Sequence, residues 1–446
     1  MKKKLGYTAL AALMMSSSPL MAMTDDEINA RFKQYEARIK ALEADLANKP
    51  APVYEQNLGK TTGPVSTQSA SDNKLKINGF MTAAVSMADD TIGTAYEIQD
   101  NPNFRGDSKA GLQFDYNLGS NSSAVMQLVA RSRGGEPWKV DAEWAYINYG
   151  VSDNVQARMG RLRIPLYMTS ETLDVGYTYP WVRPPLELYQ TAITSYEGAD
   201  MLIKYSTGDI QHTLQPFVGS STGHHDTNVP YGYYGIPGLP GANATIQLNF
   251  KDIYGVTLNS TFGNWSTKLT AMHMGIDGSL NAIDNSFIVG NILAGGPLFP
   301  NVGAGGQIAE ISDELQYYAV GGMYDNGSLL AMAEFSTIRV AKGTLFGDSF
   351  SGQGTLGYRI DRWTPYATYA WAQSINDADF TLTPRSMKSI TMGLRRELTD
   401  QLSAKLEWNN YFDLENNGSI GAGSDTFTGS LGGDVNVYTF ALDAVF

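Results

Sequence analysis

The sequence predicts an all-β transmembrane protein: a 16-stranded antiparallel up-and-down β-barrel with an N-terminal helical coiled coil. Three observations predict it. Segments of strand length with alternating apolar and polar residues recur from residue 74 to residue 446, and successive side chains of a strand point to opposite faces. The connections between these segments are alternately short and long, which is typical of bacterial transmembrane barrels. The final segment ends on an aromatic residue of its apolar face.

Composition narrows the class of protein. Only 17% of the 446 residues are charged, against roughly 25% in an average globular domain. After residue 22 no apolar run reaches the ~20 residues that a transmembrane helix needs, whereas the alternating faces of a barrel average to a polar sequence. The absence of cysteine excludes disulfides, thiolate metal sites and a lipoprotein anchor. A net charge of −13 argues against a nucleic-acid partner, because phosphate binding needs a basic surface.

Residues 1–22 predict a secretory signal peptide. Lys2, Lys3 and Lys4 form its charged region, residues 5–15 its apolar region and residues 19–22 its cleavage region. The apolar run is too short to cross a membrane, so we expect the mature protein to leave the cytoplasm.

Residues 23–49 predict a periplasmic coiled coil, and residues 50–73 a flexible linker rich in Pro, Gly, Ser and Thr. Thr24 and Glu27 have the spacing of a capping box. Apolar residues follow in alternating steps of four and three, the seam of a coiled coil. The core positions are Ile28, Phe32, Tyr35, Ile39, Leu42 and Leu46. Arg31 precedes Glu36 by five residues, which pairs neighbouring chains rather than residues of one helix. The aromatic core positions favour three chains over two, and a lone amphipathic helix is the alternative.

Residues 74–446 predict the barrel, with sixteen strands. The predicted strands are 74–88, 107–118, 121–133, 139–150, 154–163, 196–207, 209–220, 246–259, 264–276, 313–325, 327–341, 351–361, 363–374, 386–399, 401–414 and 435–446. Their faces differ in polarity: Met392 and Leu406 lie on the apolar faces of strands fourteen and fifteen, opposite Arg395, Lys405 and Glu407. For strand four we expect Trp144 and Tyr146 on the apolar face, opposite Glu143.

The last strand carries a possible assembly signal in its apolar residues Tyr438, Phe440, Leu442 and Phe446. It resembles the closing strand of bacterial outer-membrane barrels, in which a terminal Phe with aromatics at alternate positions is read by the outer-membrane assembly machinery. An ordinary edge strand at a C-terminus would show the same alternation. The strand count places Phe446 at the periplasmic rim, paired with the first strand.

Charged residues concentrate in and near the long connection 164–195, after the fifth strand. The candidate constriction residues are Arg131, Arg133, Arg161, Arg163, Arg183, Glu171 and Asp174. Guanidinium groups bind carboxylates well, and a narrow pore selects by charge and size. We therefore expect an arginine-containing constriction that favours small anions. The alternative is that the arginines pair with acids of the loop, including Glu187, and only lock it. A bulge would reverse the faces of Arg161 and Arg163.

Other candidate sites are weak. His224 and His225 lie with Asp226 in a polar outer connection, and His212 and His273 lie on separate strands with no recognisable partner spacing. We expect no catalytic, cofactor or metal site, and no enzyme.

The whole arrangement resembles the trimeric Gram-negative outer-membrane porins, and within them the DcaP-like type. The residues that carry the resemblance are Phe446, the heptads from Ile28 to Leu46, and the 158–189 region in the place of the pore-narrowing third loop. It implies a homotrimer in outer-membrane lipid whose small-molecule solutes are negatively charged, such as dicarboxylates.

Two alternatives stay open. One is a general or sugar-type diffusion pore without anion preference, which Tyr167, Tyr177, Tyr179 and Trp181 would suit. The other is a structural or adhesive envelope protein tethered by its coiled coil. Contact of the coiled coil with peptidoglycan is also left open by the sequence.

Overall fold

A computed structural model describes residues 74–89, 98, 100–133, 136–189, 193–229, 242–282, 307–342, 347–375, 386–415, 419–420, 427–428 and 434–446. The predicted signal peptide (1–22), coiled coil (23–49) and linker (50–73) lie outside the described residues and stay predictions. Across the described ranges, no helix has the length and hydropathy needed to cross a bilayer.

Sixteen strands alternate in direction and close into one barrel, as predicted. They are β1 (Leu75–Ala88), β2 (Lys109–Gly119), β3 (Ser122–Arg133), β4 (Glu136–Ser152), β5 (Val155–Arg163), β6 (Ser195–Thr207), β7 (Ile210–Val229), β8 (Ala242–Phe262), β9 (Trp265–Ala282), β10 (Gln307–Asp325), β11 (Leu329–Val340), β12 (Ser349–Tyr358), β13 (Trp363–Ser374), β14 (Ser386–Thr399), β15 (Leu402–Glu415) and β16 (Val435–Val445). Residues 419–420 and 427–428 form a short hairpin between β15 and β16.

The barrel closes between β1 and β16. Their antiparallel register runs from Phe80 opposite Val445 to Ala88 opposite Val437. Phe446 extends the ladder, because its N–H donates to the Gly79 carbonyl at 2.9 Å and its carbonyl accepts from the Gly79 N–H at 2.7 Å. The Phe446 ring covers Gly79 so closely that a Cβ there would overlap it. The predicted closing position of the last strand is confirmed, whereas its role in assembly stays a prediction.

The short connections follow the even-numbered strands and therefore lie at one end of the barrel. Gly208 and Gly263 occupy two of these turns with φ values of 60° and 54°, a region that favours glycine. The chain end at Phe446 lies at this same end, since β16 is also an even strand. The longer connections follow odd-numbered strands and lie at the opposite end.

The two faces of β14 and β15 have opposite chemistry. Met392 of β14 and Leu406 of β15 are 54% and 57% exposed, while their charged neighbours Arg395, Lys405 and Glu407 are buried on the inner face. An apolar outer face combined with a polar inner face is the pattern of a membrane barrel. The predicted faces of these two strands are confirmed.

The prediction for β4 is wrong at Trp144 and Tyr146. Both rings are buried on the inner face. The cause is a bulge: Gln127 pairs with Trp144 and Leu128 with Ala142, which leaves Glu143 as an extra residue. A bulge shifts the alternation by one residue, so Glu143 and Trp144 both lie inside the barrel.

Four consecutive strands, β7 to β10, run further than predicted. They contain 20, 21, 18 and 19 residues and extend at the end that carries the long connections. Sequence alternation does not mark these extensions, because a strand that projects beyond the lipid has no apolar face to maintain.

Candidate functional site

The connection after β5 lies inside the barrel. We call residues 164–194 the lumen loop; the structure describes 164–189 and 193–194 of it. It contains two 3-10 turns, Ser170–Thr172 and Gly176–Thr178, and a short helix α1, Leu186–Tyr189. Four prolines, at 165, 180, 184 and 185, remove backbone donors and prevent a longer regular element. The loop must therefore satisfy its backbone groups against the barrel wall.

Apolar and aromatic side chains anchor the first and last parts of the lumen loop. Leu166, Tyr167, Leu188 and Tyr189 belong to one buried cluster with the inner faces of β4 to β10. The Tyr167 and Tyr189 rings are 4.7 Å apart. Burial of these four apolar and aromatic side chains favours a loop that stays docked on the inner wall.

The loop tip, residues 173–182, crosses to the opposite wall. Lys405 of β15 donates to the carbonyls of Gly176 at 2.7 Å and Trp181 at 2.5 Å. The Trp181 indole donates to Thr368 Oγ1 of β13 at 2.8 Å. The hydroxyl of Tyr177 reaches the carbonyl of Asp400 at 2.9 Å, in the short turn between β14 and β15. The loop thus enters at one end of the barrel and reaches the other.

The inner face that meets the loop tip is completely covered. Inward-facing side chains along the middle of β1, β13, β15 and β16 are buried, whereas Lys76 and Asn78 at the start of β1 are not. The buried residues include Thr82, Ala84, Ser86, Thr364, Thr368, Ser403, Lys405, Glu407, Asn409, Thr439, Ala441 and Asp443. The loop tip therefore packs directly against this part of the inner wall.

Arg131 and Arg163 meet at the base of the lumen loop. Both guanidinium groups bind Asp174 and Glu143. Burial alone would raise the pKa of Asp174, but the two arginines outweigh it and hold that pKa far below its ordinary value. Two cations face two carboxylates, so the charge of this base cluster cancels. It ties the start of the loop to β3, β4 and β5.

Arg183 forms a second buried lock. Its Nε and Nη2 donate to the Asp107 carboxylate at 2.8 Å and 2.5 Å, and Nη2 also donates to Thr439 Oγ1 at 3.1 Å. Burial would raise the pKa of Asp107, but Arg183 and the Ser86 hydroxyl lower it overall. This pair fixes the C-terminal half of the loop to the seam between β1 and β16.

Two carboxylates of the wall hold loop backbone. Glu334 of β11 accepts from the Met168 N–H at 2.7 Å and from the Tyr189 hydroxyl. Glu407 of β15 accepts from the Val182 N–H at 2.9 Å. Lys268 of β9 lies 3.4 Å from the Glu171 carboxylate. This contact holds Glu171 of the lumen loop against β9, and its role in a constriction stays a prediction.

The structure separates Arg161 from the other candidate arginines. Arg161 shares the outer face of β5 with Met159, which is 74% exposed. It pairs with Glu197, the residue directly opposite on β6, and no register shift interrupts the two strands there. Arg133 ends β3, two residues beyond Arg131. Arg161 therefore lies apart from Arg131, Arg163, Arg183, Glu171 and Asp174, which contact the lumen loop or belong to it, and a role of these residues in a constriction stays a prediction.

The sequence missed three luminal cations as partners of the loop. Lys405 and Arg395 were placed on the inner faces of their strands, but nothing in the sequence linked them to residues more than 200 positions earlier. Lys109 at the start of β2 donates to the Leu173 carbonyl at 3.3 Å and to the Tyr179 hydroxyl at 3.2 Å. Alternation of polarity identifies such residues as luminal, whereas their contacts depend on the path of the loop.

The histidines that the sequence analysis named as weak candidates lie in separate places. His212 contacts Ser260 at 2.8 Å and stacks on Tyr205, and His273 stacks on Tyr254. The backbone places His224 and His225 in the extension of β7. Within the described ranges no group of three or more His, Cys, Asp or Glu residues has the geometry of a metal site.

Substitution of Asp174 tests the base cluster. Asp174→Asn leaves Arg131 and Arg163 buried with Glu143 as their remaining acidic partner, and removal of one partner of a buried ion pair costs about 3–5 kcal/mol. We expect a clearly lower Tm by circular dichroism of the detergent-folded protein. Asp413→Asn is the matched control, because the Asp413–Lys388 pair is more than a third exposed. An unchanged Tm in Asp174→Asn would show that the cluster does not stabilise the fold.

A closed barrel of sixteen antiparallel strands, apolar outside and carrying the connection after β5 in its lumen, has the architecture of the outer-membrane porins. Outer-membrane expressed OmpT of Vibrio cholerae is similar in fold, with a TM-score of 0.51 and 10% identity over 85% of this chain and 100% of that chain. An anion-selective porin from Comamonas acidovorans gives a TM-score of 0.50 and 12% identity over 83% of this chain and 99% of that chain.

The outer membrane channel DcaP of Acinetobacter baumannii matches with a TM-score of 0.47 and 10% identity, over 83% of this chain and 97% of that chain. A match at that level does not distinguish the DcaP-like type from other barrels. No protein-family model and no curated protein matches the sequence. At such identities the structural matches establish the fold alone.

Proposed function

We propose that this protein is an outer-membrane channel for passive diffusion of small hydrophilic solutes, and that it favours small anions such as dicarboxylates. The observation that carries the proposal is the lumen loop, which lies against a wall of polar and charged side chains. Gln113, Gln127, Gln353, Thr355 and Asn409 line this wall and are buried. A polar lumen suits a water-filled path, and solutes would pass through it unchanged, without catalysis.

Luminal arginines support the anion preference in part. Arg131, Arg163 and Arg183 meet the lumen, but buried carboxylates compensate all three. The preference must therefore come from cations whose charge is less completely compensated, and those lie beside the loop tip.

The membrane location, the oligomeric state and the partners of the channel are part of the same proposal. We place the barrel in Gram-negative outer-membrane lipid, with residues 23–49 as a periplasmic coiled coil that supports a homotrimer. The closing strand that ends at Phe446 would be recognised by the outer-membrane assembly machinery, and the coiled coil could reach peptidoglycan. These roles rest on the sequence patterns and on the barrel fold.

A second candidate is a structural envelope protein without transport activity. The loop tip packed against the inner wall favours it, because a docked tip obstructs the path of a solute. In that case the coiled coil would tether envelope layers and the barrel would be an anchor.

Planar-bilayer recordings of the full mature protein test both candidates. We expect discrete conductance steps, and a reversal potential in a KCl gradient that shows preference for chloride. Preference for potassium would overturn the proposed anion preference but not the proposed channel function. No conductance with the wild type, and none after the loop alterations described below, would favour the structural candidate.

A further inference from the structure

Two like charges lie side by side on the inner wall beneath the loop tip. Arg395 of β14 and Lys405 of β15 are directly opposite in the strand register, and both side chains are buried. Like charges directly opposite each other destabilise a sheet, and a buried charge needs a partner. This pair therefore calls for negative charge nearby.

The hydrogen-bond partners of this pair are mostly neutral. Lys405 forms an ion pair with Asp443 at 2.9 Å and also interacts electrostatically with the buried Glu407 carboxylate of the same strand, while its other hydrogen-bond acceptors are the carbonyls of Gly176 and Trp181. Arg395 Nη1 reaches the Tyr179 carbonyl only at 3.4 Å.

The remaining donors of Arg395 are poorly satisfied. Within the described part of the chain, its Nε and Nη2 donate no hydrogen bond. Its acidic neighbour Glu397 is 3.6 Å from Nη2 and is itself more than a third exposed. The Tyr177 ring covers the guanidinium at 4.7 Å. A buried guanidinium with unused donors is suited to bind a planar anion.

Carbonyls of the loop occupy the positions that such an anion would take. Gly176, Tyr179 and Trp181 turn their carbonyl oxygens toward Arg395 and Lys405, and Leu173 turns its carbonyl toward Lys109. A carboxylate adds the attraction between opposite charges to its hydrogen bonds with a cation, which a neutral carbonyl acceptor does not offer. A carboxylate that reached this wall would therefore compete with the loop tip.

We propose that Arg395, Lys405 and Lys109 form the anion-binding site of the channel, and that a small carboxylate binds there by displacing the loop tip. The inference rests on the proposed function, since it names the residues that would give the channel its solute preference. It also makes the loop tip a gate that the transported solute itself opens.

Thiol labelling tests the displacement without relying on conductance. The chain has no cysteine, so Thr178→Cys places a single thiol on the loop tip of the full mature protein. We expect succinate to increase the rate of maleimide labelling severalfold, because displacement exposes the tip. Succinamide, which is similar in size but uncharged, should leave the rate unchanged.

Substitutions of Arg395 test whether this residue of the wall causes the succinate effect on labelling. In the Thr178→Cys background, Arg395→Gln should raise the half-maximal succinate concentration by about tenfold or more, and Arg395→Lys by less, since it keeps the charge. Arg359→Gln is the matched control, because Arg359 pairs with Asp325 at 2.6 Å and 2.9 Å near the short-turn end. Heat-modifiable migration on gels establishes that each variant is folded, and Arg395→Lys keeps the test decisive if Arg395→Gln does not fold.

The outcomes separate the inference from the proposed function. Labelling that succinate does not change, that succinamide changes equally, or that responds identically in Arg395→Gln and Arg359→Gln overturns the anion site. If the protein conducts but its labelling does not respond to succinate, the proposed channel function stands and the proposed anion site is wrong. If succinate changes the labelling but the protein conducts under no condition, the proposed anion site stands and the proposed channel function is wrong.

Discussion

Replacement of residues 175–182 by an equal number of glycine and serine residues is expected to raise the single-channel conductance by about tenfold, because a barrel of sixteen strands leaves an aqueous channel when nothing fills it. The replacement removes Tyr177, Tyr179 and Trp181, which cover the inner faces of β13 to β16. It keeps Asp174 and Arg183, so both buried locks at the ends of the tip stay in place. Conductance in planar bilayers is the measurement.

A single substitution provides the controlled version of this experiment. A Cβ at Gly176 would overlap the Asp443 carboxylate and lie 2.8 Å from Thr82 Oγ1, so Gly176→Leu should push the tip off the wall and increase conductance in the same direction. Gly354→Leu is the matched control, because no atom lies within 4 Å of a Cβ at Gly354. Equal conductance of wild type, Gly176→Leu and the replaced loop would mean that the tip does not block the lumen.

The barrel could be predicted because lipid imposes a rule on every strand. Each strand must keep an apolar face over the thickness of the membrane, and this requirement is visible as alternation in the sequence. The prediction failed where the rule lapses. The observed strands β7 to β10 run beyond their predicted ends, and the bulge at Glu143 inserts one residue into the alternation. Neither event has a signature in the polarity of a single strand.

The candidate site was predictable in position but not in pairing. The order of strands predicted that the long connection after β5 would carry the site, and the composition of that connection identified Arg163, Arg183 and Asp174. The partners Glu143 and Asp107 lie in other parts of the chain, and only the path of the loop brings them together. The alternative that the arginines pair with acids and lock the loop agrees with the contacts of Arg131 and Arg163.

Locked arginines and under-compensated cations have different consequences for selectivity. A guanidinium that already binds a buried carboxylate presents little net charge to a solute, because the two charges cancel within a few ångströms. Arg395 keeps more of its charge, since its acidic neighbour is distant and partly solvated. Selectivity should therefore follow substitutions beside the loop tip more closely than substitutions in the base cluster.

Glu187 gives the loop a dependence on pH. Its side chain is buried in α1, and burial raises its pKa to about 7, although the Ser389 hydroxyl opposes the shift. The titratable group near it is Tyr411 of β15, which also interacts with Arg183 of the loop and Glu407 of β15. No ion pair involving Glu187 is formed among the described residues, so its ionised form is poorly stabilised in the docked loop.

The direction of the pH effect follows from the raised pKa. A released loop exposes Glu187 to water, where its pKa returns to its ordinary value of about 4.5, so the docked state binds the proton more tightly. Docking is strongest below pH 4.5, weakens as the pH rises from 4.5 to 7, and is about 3 kcal/mol weaker above pH 7. We expect the open probability of the channel to increase over this range and then to level off.

Glu187→Gln isolates this group from the other titrating residues. An amide cannot ionise, so the variant should keep the low open probability of acidic pH up to pH 8 and should lose the rise between 4.5 and 7. Glu310→Gln, which removes an exposed carboxylate of β10, should retain the wild-type pH profile. A Glu187→Gln channel that still opens with rising pH would assign the effect to another group, and a profile that falls with pH in the wild type would contradict the sign. Because deprotonation weakens the docked state while a bound carboxylate would compete for the wall, acidic pH should also raise the succinate concentration needed to release the tip.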